Sequence, residues 1–133
     1  MFKKVGVLTK NSGSDVVNIF TTLLKTLSDH NCNIVLCCPK NVSQNFTSYR
    51  NVTTNELADK VDLVISVGGD GTLLKCAGLI YPREIPLLGI NLGRLGFLTD
   101  IQPNEVCQEL EEVLKGNFQN EKRCVLGCDV KRK

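Results

Sequence analysis

Five consecutive residues, Gly68-Gly69-Asp70-Gly71-Thr72, carry the clearest chemistry in the chain. Glycines let a backbone turn tightly and approach a phosphate closely. A helix opening near Thr72 would offer amide groups and the positive end of its dipole to an anion. The common phosphate motifs do not fit. Walker A needs a lysine after its last glycine, and Thr72 follows Gly71. The dinucleotide fingerprint needs a third glycine where Leu74 stands. The segment therefore reads as a phosphate loop of another kind, with a plain tight turn as the competing reading.

Asp70 needs a reason, because a carboxylate repels phosphate. It could hold a Mg²⁺ ion that a nucleoside triphosphate brings with it. It could also orient or deprotonate an attacking hydroxyl. Phosphoryl transfer passes through a loose transition state in which positioning and charge count most, so orientation with late proton transfer suffices. A capping aspartate is the structural alternative. A second glycine-rich segment, Gly89 to Asp100, adds three candidates. Asn91 can hydrogen-bond a base or sugar in both directions. Arg94 can bind phosphate in a fork. Phe97 can lie against an adenine ring. A core role for Phe97 and a surface ion pair for Arg94 are the simpler alternatives.

Both loops need a frame to position them. Lys3 to Thr9 reads as a first strand, and residues 11–14 as a polar turn. Asp15 can cap a helix in which Val16, Ile19, Phe20, Leu23, Leu24 and Leu27 recur at helical spacing. Ile34 to Cys37 is a buried-strand candidate closed by Pro39. Residues 40–53 are polar and read as a long surface connection with at most a short strand. Thr54 is expected to cap a short helical turn. Asp62 to Val67 is a continuous apolar strand of the kind found in parallel sheets covered on both faces. Gly68 and Gly69 end it, and a helix follows until Pro82 stops it. Leu87 to Ile90 is a further strand, and Pro103 suits the start of a last helix that Gly116 ends. In residues 124–130 every second residue is apolar, which reads as one half-buried strand. Alternating strands and helices predict an open, mainly parallel, three-layer α/β sheet. Ligands of such sheets sit outside the carboxyl ends of the strands, where the Gly68 loop falls.

Composition bounds the function. The 133 residues give one domain-sized core, and 42% hydrophobic with 23% charged residues is a globular balance. Sixteen basic against 14 acidic residues leave a net charge of +2, which argues against a nucleic-acid binder. No apolar stretch suits a membrane span or a signal peptide, so no membrane association is expected. The seven cysteines form no Cys-x-x-Cys pair and there is one histidine, so zinc and iron–sulfur sites are disfavoured. An odd cysteine count without a secretion signal predicts reduced thiols and a cytoplasmic protein, some of them filling core positions.

Taken together, Gly68-Gly69-Asp70-Gly71-Thr72-Leu73-Leu74, Gly89-Ile90-Asn91 and Gly93-Arg94-Leu95-Gly96-Phe97-Leu98-Thr99-Asp100 resemble the NAD kinases, closely the bacterial type. The first motif alone is shared with diacylglycerol and sphingosine kinases and loosely with phosphofructokinases. The second loop separates the NAD kinases from the lipid kinases.

The resemblance implies an ATP- or polyphosphate-dependent kinase that phosphorylates the 2′-hydroxyl of the adenosine ribose of NAD, giving NADP, with a divalent cation such as Mg²⁺. It makes Asp70 the catalytic carboxylate, with no direct metal ligand beyond a contact through water. Gly68, Gly69, Gly71 and Thr72 face phosphate, with Arg94 and Asn91 near the nucleotide. Leu74 and Phe97 line the adenosine pocket. It implies two domains, an α/β unit over 1–117 and the first strand of an all-β NAD-binding domain over 118–133. The family's Asn-Glu motif lies in that second domain. The 133-residue chain is thus expected to be inactive alone, and its unpaired C-terminal strand suggests homo-oligomers. A lipid-kinase domain and a non-catalytic nucleotide-binding module are the alternatives.

Overall fold

A computed structural model describes residues 2–59, 61–92 and 101–118, together with the backbone of the short strands 125–126 and 129–130. The first strand, β1 (Lys4–Thr9), is buried from its second residue onward. Helix α1 (Ser14–Asp29) follows, then β2 (Asn33–Cys37). The polar stretch contains a one-turn helix, α2 (Lys40–Ser43), and a two-residue strand, β3 (Arg50–Asn51). A second single turn, α3 (Thr54–Leu57), leads to β4 (Leu63–Gly68) and α4 (Asp70–Ile80). After β5 (Leu87–Asn91), a 3-10 turn over Pro103–Glu105 opens α5 (Val106–Leu114).

The five strands form one sheet in the order β3-β2-β1-β4-β5, and every pairing is parallel. The apolar run of β4 has this cause: central parallel strands meet helices on both faces. Val5, Val7, Ile65, Val67 and Ile90 face α1 and α5, packing on Phe20, Leu23 and Leu110. Leu8, Val64 and Cys37 face the other way, toward Cys76 and Ile80 of α4 and Leu57 of α3. The predicted three-layer α/β architecture is the one observed.

Several local expectations change. Asp15 does not cap α1. The N-cap is Gly13, at φ 126°, and Asp15 instead accepts the Val16 amide at 2.9 Å within the first turn. A glycine suits that positive φ, and a first-turn acid still favours the helix dipole. The cap of α3 is Thr53 rather than Thr54, in a reciprocal capping box with Glu56. Helix α4 opens at Asp70, two residues before Thr72. The strand expected over 124–130 is instead an antiparallel pair, β6 (Val125–Leu126) with β7 (Asp129–Val130).

Two cysteines are buried in the face beneath α4, Cys37 and Cys76. Burial, and then the neighbouring Cys37, push the Cys76 thiol up to about 12, against a weaker pull from Lys10. Burial likewise raises Cys38 to about 11. Cys107 is exposed on α5. Because the thiolate is the reactive form, alkylation at pH 8 followed by mass spectrometry should label Cys107 on the order of 100-fold faster than Cys76. Equal rates would mean that Cys76 is not packed beneath α4.

Candidate functional site

The sheet order reverses direction between β1 and β4. The chain steps outward from β1 to β2 and β3 on one side, and from β4 to β5 on the other. The connections leave the carboxyl ends of β1 and β4 in opposite directions, so a crevice opens there. The Gly68 loop stands at this point, immediately beyond β4.

Its glycines are required for different reasons. A side chain at Gly68 would place Cβ 2.5 Å from Thr72 Oγ1 and 2.9 Å from Thr72 Cβ. The first turn of α4 therefore folds down onto the strand end, and only glycine fits beneath it. Gly69 is the helix N-cap with φ −129° and ψ −161°, an extended conformation open to any residue. A Cβ at Gly69 or Gly71 would meet nothing within 4 Å. Neither steric conflict nor backbone strain demands these two glycines. What they leave is open space against bare backbone, the shape a phosphate needs for close approach. The first N–H of α4 to bond back is that of Leu73, to Gly69 O at 3.1 Å. Helix geometry turns the earlier amides, those of Gly71 and Thr72, toward the crevice.

Asp70 is half-buried in this first turn. It is not the cap, which is Gly69 without a side-chain bond. Its negative charge is favoured there by the helix dipole. Thr72 sits over Gly68. Leu74 is half-buried on the second turn, outside both apolar clusters. Asn91 pairs in register with Gly68 and is buried to 1% exposure. It ends β5 beside the loop rather than standing in open solvent. The Leu92 amide donates to Gly68 O at 2.9 Å, and the Asn91 amide to Ile101 O at 2.8 Å. The start of the second glycine-rich segment is thereby fastened beside the first loop, and Ile101 pairs with β5. Arg94 and Phe97 lie outside the described residues.

Sequence reasoning missed the contribution of β1. Asn11, just after β1, reaches the loop: its Oδ1 lies 3.4 Å from the position a Gly68 Cβ would take. Only the strand order reveals this, because residues 11–14 look like any polar turn. No group of three His, Cys, Asp or Glu side chains that could hold a metal occurs among the described residues. Asp70 could serve a metal only as one carboxylate, with other ligands supplied by substrate or water, which suits Mg²⁺ arriving with a nucleotide. A separate concavity lined by Lys4, Asn33, Val35, Asp59 and Val61 lies toward the amino ends of the strands and has no glycine loop. No helix among the described residues is long and apolar enough to cross a membrane.

Known proteins share this frame. The chain is 36% identical over 130 residues to the NAD kinase of Natranaerobius thermophilus, covering 98% of this chain and 45% of that protein. It is 37% identical over 133 residues to the NAD kinase of Pseudomonas putida, with 98% and 44% covered. It thus spans less than half the length of the curated relatives it matches. Among solved structures, yeast NADH kinase complexed with NADH superposes with a TM-score of 0.76 at 19% identity, over 91% of this chain and 40% of that one. A putative diacylglycerol kinase from Bacillus anthracis gives 0.55 at 22% identity, over 86% and 43%. At such identities these two likenesses speak for the fold alone, a strand–loop–helix frame common to both kinds of kinase. The family model of the ATP-NAD kinase N-terminal domain matches residues 5–118, which takes in all of the five-stranded sheet but Lys4 and includes the Gly68 loop, and the chain belongs to that family.

Proposed function

We propose that this chain is the phosphate-binding domain of a kinase that transfers the terminal phosphate of ATP, or of polyphosphate, to the 2′-hydroxyl of the adenosine ribose of NAD, giving NADP. The observation that carries the reading is the open backbone at Gly69 and Gly71 in front of the first turn of α4, with Asp70 held in that turn. Family membership supports the same substrates. The Gly71 and Thr72 amides would hold phosphate oxygens in the dipole field of α4. Asp70 would accept the hydrogen of the ribose hydroxyl, orienting its lone pair toward phosphorus and taking the proton late in transfer. A divalent cation such as Mg²⁺, when bound, would neutralise the charge of the phosphate chain. Leu74, Asn91, Arg94 and Phe97 remain the residues proposed to contact the nucleotides. The segment from residue 118 onward is proposed to begin a second, β-rich domain that completes the NAD site. A cytoplasmic location and self-association belong to the same reading.

Two experiments test it. In Gly71→Ala, the added methyl meets no protein atom but fills the space reserved for phosphate. Alanine also suits a helix better than glycine, by up to about 1 kcal/mol. Stability measured by urea unfolding should stay level or rise, while the affinity for MgATP falls about tenfold, an effect of the size expected from one lost charge-assisted hydrogen bond. Unchanged MgATP affinity would remove this loop from donor binding. Second, the chain alone should form little NADP in a coupled assay, and joined to the C-terminal half of the Natranaerobius thermophilus enzyme it should form NADP readily. Asp70→Asn in the joined protein should lower turnover by roughly 10²- to 10⁴-fold while changing NAD binding far less. Unchanged turnover would exclude Asp70 from the chemistry.

A further inference from the structure

We propose that Lys10, together with Lys75 of α4, binds a linear phosphate chain along the lip of the crevice beyond the Gly68 loop. The inference rests on the kinase reading for the identity of its ligand and adds a residue which that reading does not use.

Lys10 follows β1 and is exposed. Side chains alternate across a strand, and Leu8 belongs to the face beneath α4, so Lys10 continues on that same face. There its side chain meets that of Lys75 directly. Lys75 is four residues after Gly71, hence one helical turn below it on the same side of α4. Bare amides and two ammonium groups therefore succeed each other along one edge of the crevice.

The approach of Lys10 is fixed by its neighbours. Thr9 is 3% exposed. Its hydroxyl donates to Val67 O at 2.8 Å and accepts the Asn11 amide at 3.1 Å. Thr9 is thereby tied to β4, the strand that carries the Gly68 loop, and Asn11 to Thr9. Two like charges brought together repel, and Lys75 is held below the ordinary lysine value, first by its side-chain contact with Lys10 and then by that ammonium's charge. Neither ammonium has a carboxylate within 4 Å among the described residues. A ligand with several adjacent negative charges would relieve the repulsion, and a phosphate chain running on from the loop supplies them.

The chain could belong to the donor's triphosphate or to the diphosphate of the dinucleotide, and two probes separate them. Binding of inorganic tripolyphosphate with Mg²⁺, and of ADP-ribose, is measured by calorimetry on the 133-residue chain and on Lys10→Met and Lys10→Arg. Lys10 is exposed, so both variants should melt with the parent chain. Lys10→Met should weaken one probe about tenfold, and Lys10→Arg should hold it within about threefold, because the charge is kept. Loss confined to tripolyphosphate assigns the donor chain, and loss confined to ADP-ribose assigns the dinucleotide. Equal affinity of Lys10→Met and the parent for both probes overturns the inference, as does failure of the parent to bind either. The kinase reading is judged separately, by NADP formation in the joined protein, which a failure at Lys10 leaves intact.

Discussion

The parallel pairing of β1 with β4 is the contact on which the rest depends. These two strands are distant in sequence, yet Val5 to Thr9 run in register with Leu63 to Val67 at the centre of the sheet. Their pairing buries the largest apolar rows and sends the following loops apart, which opens the crevice. The Thr9 hydroxyl ties the two strand ends together at Val67, one residue before the glycines begin. A shift of one residue in this register would reverse the faces of β1 and carry Lys10 and Asn11 away from the loop.

The glycine loop combines one compressed and two open positions. Gly68 is compressed beneath Thr72, which pins the helix start onto the sheet. Gly69 and Gly71 are uncompressed, which leaves backbone open to a ligand. The one acid in the turn is stabilised where it stands by the dipole of α4. Under the proposed function its repulsion of phosphate would be offset by that dipole, and its use would lie in handling a hydroxyl. Among the described residues no cysteine lies in the glycine loop; Cys37 and Cys76 serve as small apolar residues whose thiols burial keeps protonated.

Much of this was legible in the sequence, and the exceptions have physical causes. The continuous apolar run of β4, the spacing of Val16, Ile19, Phe20, Leu23 and Leu27, and the position of Gly68 to Thr72 at a strand-to-helix junction all depend on neighbours close in the chain. Helix starts were less legible. Gly13 and Thr53 displaced Asp15 and Thr54 as caps, because capping is set by one residue's backbone angles. Helix α4 begins at Asp70 behind Gly69, an N-cap with no side-chain bond and so no capping signal in the sequence. The helical turn at Lys40–Ser43 lay hidden in a polar stretch, where Val42 is the turn's one buried residue. Strand order was least legible, since pairing joins residues some 58 positions apart, as at Thr9 and Val67. With it went the approach of Asn11 to Gly68.

The claim that ligand phosphate enters at the carboxyl end of β1 and β4 can be read residue by residue. Titrating the isotope-labelled chain with MgATP and following backbone amides by NMR should move Gly69, Gly71 and Thr72 most, with Lys10 and Asn11 next. Shifts confined to the opposite concavity around Lys4, Asn33 and Asp59, with the Gly69 and Gly71 amides unmoved, would contradict it.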